Sequence, residues 1–250
     1  YNTDMSRTDY GSGIARSGGG TVDDPYTYSV AADFTNRPVN YVSYWDSCRF
    51  ANWLHNGQPT GTQGAGTTET GAYTLTTDDM NKNTVARNGD WRWAVTSEDE
   101  WYKAAYYKGG STNAAYLDYP TSSDTAPGRD MGDVSGNNAN CFGSPYPIDS
   151  GKYTTVVGEF ENSDSPYGTF DQGGNVWEWN EAVLSGSYRS LRGGSFNYYD
   201  YTLGASYRYY YFSPTYENGD FGFRVVEIPE PAALSLLALG GLMILRRMKR

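Results

Sequence analysis

The sequence predicts an irregular α+β fold of short strands, long loops and two main helices, followed by a C-terminal hydrophobic helix. Three observations lead there. Much of the hydrophobic fraction is aromatic, with 24 Tyr, 9 Phe and 7 Trp, which supplies core volume without long aliphatic runs. Thirty Gly and 11 Pro cut the chain into short pieces. Only two segments ahead of the tail combine a helix-start signal with an apolar face. Disorder is set aside by the Trp and Phe content, and 250 residues can bury a substantial core.

Residues 1–36 are rich in Gly, Ser, Thr and Asp and read as an irregular N-terminal part with one short strand at 26–30. The main domain is assigned to 37–228. Ser43, with Asp46 in the first turn, starts a helix over 44–54. Trp45, Phe50, Trp53 and Leu54 would share one face of it, and Gly57 would stop it. His55 is read as a C-terminal cap. Residues 57–90 read as a long excursion. Ser97 and Glu100 form a capping box ahead of a helix over 101–107, ended by Gly109 and Gly110. Apolar pieces at 153–160, 175–179, 187–196 and 222–226 read as short strands between loops.

Composition excludes several functions. One His excludes His-rich metal sites within the chain and makes any His-based triad depend on His55. Two Cys exclude a disulfide-dense scaffold. Cys48 is expected buried on its helix and Cys141 on a loop, with a bridge between them open. Residues 1–228 hold 15 basic and 28 acidic side chains, a charge of −13. Such a body repels anionic surfaces, so no nucleic-acid partner is expected.

The end of the chain differs from the body. Pro229, Glu230 and Pro231 precede a 14-residue apolar stretch at 232–245, then Arg246, Arg247, Lys249 and Arg250. As a helix the stretch spans roughly 21 Å, short of a hydrocarbon layer of about 30 Å. The basic end would stay cytoplasmic. This tail (229–250) resembles the PEP-CTERM sorting signal, which implies export, an exosortase-type partner and cleavage near the motif. The plainer alternative is a membrane anchor. Both place the body outside the cytoplasm, in the envelope or at the cell surface. Tyr1 in place of Met fits a removed signal peptide or a fragment.

Five blocks of the body occur in order: 38–43 with its helix, 96–105, 167–179 (containing Gly-Asn-Val-Trp-Glu-Trp), 192–196 (Arg-Gly-Gly-Ser-Phe) and 222–226 (Gly-Phe-Arg-Val-Val). Together they resemble the formylglycine-generating enzyme, or sulfatase-modifying factor, domain over about residues 37–227. The resemblance implies a C-type-lectin-like fold that normally begins with a strand segment ahead of residue 1.

On a strand, Trp177 and Trp179 would face one way and Glu178 the other. Asp171 and Glu178 could then converge with backbone carbonyls as an oxygen cage suited to Ca²⁺. The resemblance implies calcium as a cofactor at Asp171, Gly174, Val176 and Glu178, and a second site at Asn140, Cys141, Asp149 and Gly151. The plain alternative is that these carboxylates cap loops or pair with Arg. The resemblance also implies a copper oxidase whose two thiolates follow the Gly-Gly-Ser-aromatic block. Here Tyr198 and Leu203 stand approximately at those positions, and nothing in the sequence places Cys48 or Cys141 there. Copper is therefore not expected.

Residues 196–221 hold eight of the 24 tyrosines, mixed with Asn, Asp, Ser and Gly. That mixture is the chemistry of recognition surfaces. The candidate ligand-binding set is Asn197, Tyr198, Tyr199, Asp200, Tyr201, Tyr207, Tyr209, Tyr211 and Tyr216, with Leu203 and Arg208 as framework. The layout is similar to the variable proteins of diversity-generating retroelements, which share the lectin-like fold. Loop packing of the same rings is the alternative. The sequence favours an exported binding module for an unidentified protein or glycan. A catalytic member acting on exported proteins and a structural matrix component remain alternatives.

Overall fold

A computed structural model describes residues 1–110 and 115–228. The sorting-signal residues Pro229, Glu230, Pro231, Arg246 and Arg247, and the apolar stretch between them, lie outside the described residues. Among those described, no helix is long and apolar enough to cross a membrane.

Strand β1 (Ile14–Ser17) pairs with β2 (Thr27–Val30) in an exposed antiparallel hairpin, so the N-terminal part holds two strands where one was expected. Helix α1 (Tyr44–His55) begins as its sequence requires: the Ser43 hydroxyl accepts from the Asp46 amide, and the Asp46 carboxylate accepts from the Ser43 amide. Its buried face differs from expectation. Tyr44, Trp45, Cys48, Ala51 and Asn52 point inward, while Phe50 is 41% exposed. The reason is Asn52, whose amide donates to the carbonyls of Thr68 and Tyr73 and whose oxygen accepts from the Tyr73 amide. Those bonds fix the excursion over that face. His55 does not cap its helix; its Nδ1 accepts from the Arg92 amide at 3.0 Å.

The excursion also contains a short helix, α2 (Thr77–Lys82), capped by Thr76 and ended by Asn83 in a left-handed conformation. Strand β3 (Trp93–Val95) leads to α3 (Glu98–Tyr106), which carries the Ser97–Glu100 capping box. The region 153–160, expected as a strand, is irregular. Its Gly158 amide donates to Asp171 instead of to a ladder.

The remaining strands are β4 (Trp177–Ser185), β5 (Tyr188–Arg192), β6 (Tyr209–Phe212), β7 (Phe221–Phe223) and β8 (Val225–Glu227). The main sheet has the order β6-β5-β4-β7, with β7 parallel to β4 and the other pairs antiparallel; β8 pairs separately with β3. Trp177 and Trp179 project from β4 into one core with Tyr44, Trp45, Cys48, Ala51, Leu191 and Phe221. Glu178 lies on the opposite side, against Trp101 of α3. The period-2 reading of this block therefore holds.

Two glycines make the central turn feasible. Gly174 has φ +81°, and a side chain there would collide with the Asn140 carbonyl. Gly193 has φ +95° and lies against the Gln172 carbonyl. Their closeness lets the Gly174 amide donate to the Gly193 carbonyl and the Phe196 amide to the Asn175 carbonyl. The Ser195 hydroxyl then donates to Asp220, whose carbonyl accepts from the Trp177 amide. Three blocks far apart in sequence thereby share one buried junction.

Candidate functional site

The Tyr-rich segment is built in two layers. The inner layer rests on Trp177. Tyr209 stacks on it at 5.1 Å, Tyr207 lies at 5.9 Å, and Tyr198 meets it edge-on at 5.4 Å. The Tyr198 and Tyr209 hydroxyls are 3.3 Å apart. Burial raises the Tyr198 and Tyr207 phenols above their ordinary pKa, so both are neutral. These three are half-buried and act as support.

The outer layer faces solvent. Tyr199, Tyr201 and Tyr211 are each more than half exposed, at 55%, 57% and 61%. Tyr199 stacks with Tyr201 at 6.4 Å and meets Phe142 edge-on at 4.9 Å. Tyr210 and Tyr211 lie 4.1 Å apart with their hydroxyls bonded at 2.8 Å. Tyr216 stacks on Phe212. Asp200 accepts from the Tyr201 amide, and Asn197 accepts from the Tyr146 hydroxyl. Exposed rings are thus held by polar contacts and neighbouring rings rather than left as loose side chains. Tyr210, absent from the candidate set, belongs to this layer; it follows Tyr209 on β6 and is 43% exposed beside Tyr211. Arg208 serves as framework through its ion pair with Glu98, which also pairs with Arg192.

The two positions that the resemblance places approximately at the copper cysteines hold Tyr198 and Leu203. Tyr198 is wedged between Trp177 and Tyr209. Leu203 is fully buried with Ala139 and Cys141. The structure does bring a cysteine near this place, against expectation: the Phe142 amide donates to the Tyr198 carbonyl and carries Cys141 with it. Burial pushes the Cys141 thiol up to about 11 and the Cys48 thiol up to about 12, away from the thiolate form that binds metal. Cys48 lies in the main core and both cysteines are free, so they form no bridge.

The calcium donor sets fare less well. Glu178 receives a bidentate ion pair from Arg224 and the Trp101 indole N–H at 2.6 Å. Asp171 accepts from the Gly158 amide at 2.7 Å, and burial pushes its pKa up to about 6. The Arg224 guanidinium pairs with Glu178, while Asp171 is held by the Gly158 amide. At the second set, Asp149 pairs with Arg37, the Cys141 carbonyl accepts from Arg129, and the Asn140 carbonyl accepts from the Asn175 amide. Gly151 lies in the turn beside Asp149, with φ +75°. Gly174 and Val176 belong to the turn that enters β4. As arranged, neither set fits Ca²⁺, because guanidinium groups occupy Glu178 in the first and Asp149 in the second. Among the described residues no three His, Cys, Asp or Glu side chains gather for a metal.

The chain matches the sulfatase-modifying factor enzyme 1-like domain (FGE-sulfatase) over residues 10–228. It belongs to that family. The match begins earlier than the five blocks suggested and takes in most of the N-terminal part. Solved structures agree on the fold. CarF is 23% identical with a TM-score of 0.56, covering 79% of this chain and 71% of CarF. Variable protein 1 of Treponema denticola is 22% identical with a TM-score of 0.52, covering 80% of this chain and 74% of that one. No curated protein matches the chain.

Proposed function

We propose that this family member is a recognition domain that binds a protein or glycan through its outer tyrosine layer and does not carry out copper-dependent oxidation. One observation carries the reading. Tyr198 and Leu203 stand approximately where the resemblance puts the copper thiolates; Tyr198 braces the ring platform on Trp177 and Leu203 is buried beside Cys141. Tyr gives a large amphipathic contact at low entropic cost, and its faces stack equally well on sugar rings or peptide side chains. The likeness to a solved structure named a variable protein supports the same reading at the level of fold.

The domain is further proposed to act outside the cytoplasm, delivered by the tail at 229–250 through an exosortase-type partner and held, transiently or lastingly, at the membrane. Stiffness that calcium would supply elsewhere is attributed here to the arginine–carboxylate pairs of Arg224 and Arg37.

The test uses the full chain on a glycan array and against envelope proteins from its own source, with the triple variant Tyr199→Ala, Tyr201→Ala, Tyr211→Ala alongside. Exposed rings contribute little to folding, so the variant should melt within about 2 °C of the parent. It should lose at least about tenfold in affinity, as expected when central aromatic contacts are removed. Undiminished binding by the triple variant would contradict the proposal. Failure of the parent to bind any glycan or envelope protein would favour a matrix component.

A further inference from the structure

The hairpin of β1 and β2 has an open edge. Ile14 is half-buried, and every other residue of the two strands is exposed. Tyr28 is 58% exposed and Val30 46%. A two-stranded hairpin with so little packed against it is marginal in water, and further strands would steady it. None of its residues belongs to the tyrosine platform, so the inference goes beyond the function proposed above.

Register decides which backbone groups are free. Ile14 pairs with Val30, Ala15 with Ser29, Arg16 with Tyr28 and Ser17 with Thr27. In the next pair along, the Ala31 amide donates to the Gly13 carbonyl. Antiparallel pairs alternate between hydrogen-bonded and non-hydrogen-bonded. Ala15 therefore bonds with Ser29, and Ser17 with Thr27, inside the hairpin. The N–H and C=O groups of Ile14, Arg16, Tyr28 and Val30 point away from it. On the β1 side the Tyr1 hydroxyl donates to the Ile14 carbonyl at 2.8 Å. On the β2 side the backbone groups of Tyr28 and Val30 have no hydrogen-bond partner among the described residues.

The edge also lacks the usual protection. Edge strands are commonly blunted by a charge, a proline or a bulge. The edge strand β6 of the main sheet has a register shift against β5, whereas the β1–β2 ladder is regular. Thr27–Val30 holds no charged residue and no proline. Arg16, the one charge on the two strands, is on β1 and lies over the rings of Tyr1 and Tyr26 at 4.5 and 4.2 Å.

We propose that the β2 edge pairs with the β2 edge of a second copy of this chain, antiparallel about a two-fold axis through Ser29. In that register the free N–H and C=O of Tyr28 exchange hydrogen bonds with those of the partner's Val30, and the symmetry repeats the pair. An aromatic ring then lies opposite a β-branched side chain on both sides of the axis, with Ser29 opposite the partner's Ser29. The patch is complementary to itself, as an isologous contact requires, and no like charges meet across it. Residues 1–228 carry −13, which opposes approach of the two bodies; salt screens that repulsion without weakening the strand pairing.

The test is disulfide trapping of the full chain in mild detergent, with oxidised glutathione, in salt sufficient to screen the body's charge. Two exposed positions on one face of β2 are compared, Ser29→Cys and Thr27→Cys. In the two-fold pair the Ser29 Cα atoms lie about 4.5 Å apart, within disulfide reach. The two Thr27 positions are offset by four residues, roughly 13 Å along the strands. Cys48 and Cys141 are buried and take no part. Ser29→Cys should give the covalent dimer at least about tenfold faster than Thr27→Cys, because paired thiols meet at an effective concentration that colliding chains do not reach. Association through the apolar tail alone would raise both rates alike. Adding Val30→Pro to Ser29→Cys removes an outward N–H without touching a bond inside the hairpin and should abolish the advantage. Equal rates at the two positions, no covalent dimer from Ser29→Cys, or an undiminished rate with Val30→Pro would each overturn the proposal. The comparison of the two cysteine positions stands whether or not the proline variant folds. Ser29→Cys should cross-link equally well in the outer-layer triple variant, which separates failure here from failure of the tyrosine surface.

Discussion

Replacing Arg224 by Ala should lower the melting temperature by roughly 10 °C. The guanidinium is the charged partner of Glu178, whose side chain is 6% exposed. Removing it leaves a buried carboxylate with only the Trp101 indole as donor. Breaking a buried pair by removing one partner costs about 3–5 kcal/mol, and the partial exposure of Arg224 puts this case near 3. For a domain of this size about 2–4 °C accompany each kcal/mol. Glu178→Gln combined with Arg224→Met should recover much of the loss, since the neutral amide oxygen still accepts from Trp101 and no charge is stranded. The same experiment tests calcium. The unmutated protein should melt alike in chelator and in excess Ca²⁺. A parent strongly stabilised by Ca²⁺, or a tolerated Arg224→Ala, would show that a metal rather than Arg224 balances Glu178.

The stability of the protein should also fall as pH rises from 5 to 7.5. Asp171 and Asp220 are both pushed by burial from 3.8 to about 6. The Gly158 amide and the Ser195 hydroxyl oppose the shift without cancelling it. Between about pH 4 and 6 the folded state therefore holds more protons than the unfolded state, so raising the pH favours unfolding. The contribution is fully present below the unfolded pKa and is gone above about 6. Two pKa units correspond to about 2.7 kcal/mol per group, taken as an order of magnitude. Asp9, Asp79, Asp133 and Glu100 act oppositely. Hydrogen bonds and an arginine neighbour hold them below their ordinary values, and their contribution is lost as pH falls below about 4. The optimum should lie between about pH 4 and 5. Denaturant melts across pH 4–8 check this, and Asp171→Asn with Asp220→Asn should flatten the decline. A parent that grows more stable between pH 5 and 7.5 would contradict it.

How much of this was legible in the sequence follows the range of the interactions. Local signals read well: the N-cap of α1, the capping box of α3, and the alternation of Trp177, Glu178 and Trp179 each depend on residues a few positions apart. The buried face of α1 did not read well, because Asn52 looks polar and is buried only through bonds to residues up to 21 positions away. The partner of Glu178 was not legible, because its guanidinium lies 46 positions away in the chain. Arg224 belongs to the Gly-Phe-Arg block, so an acid-bearing block and an arginine-bearing block were both visible; only the sheet register joins them. Asp220 was missed altogether. Its signal was faint: an acid two residues ahead of Gly222, opposite the serine of Arg192–Phe196, with no charge of opposite sign beside it. The divided character of the Tyr segment, three rings inward and five outward, follows from β6 and the Trp177 platform, neither of which composition reveals.

The proposed function, ligand recognition through the tyrosine platform without copper oxidase chemistry, is open to a direct chemical assay. The most direct measurement is Cu(I) titration of the folded full chain, followed by incubation with a cysteine-containing peptide under oxygen and mass spectrometry of the peptide. With the proposed function, no stoichiometric copper binding and no conversion of cysteine to the aldehyde are expected. One copper bound per chain, together with aldehyde formation, would contradict it and make Cys141, the thiol beside Leu203, the first residue to replace.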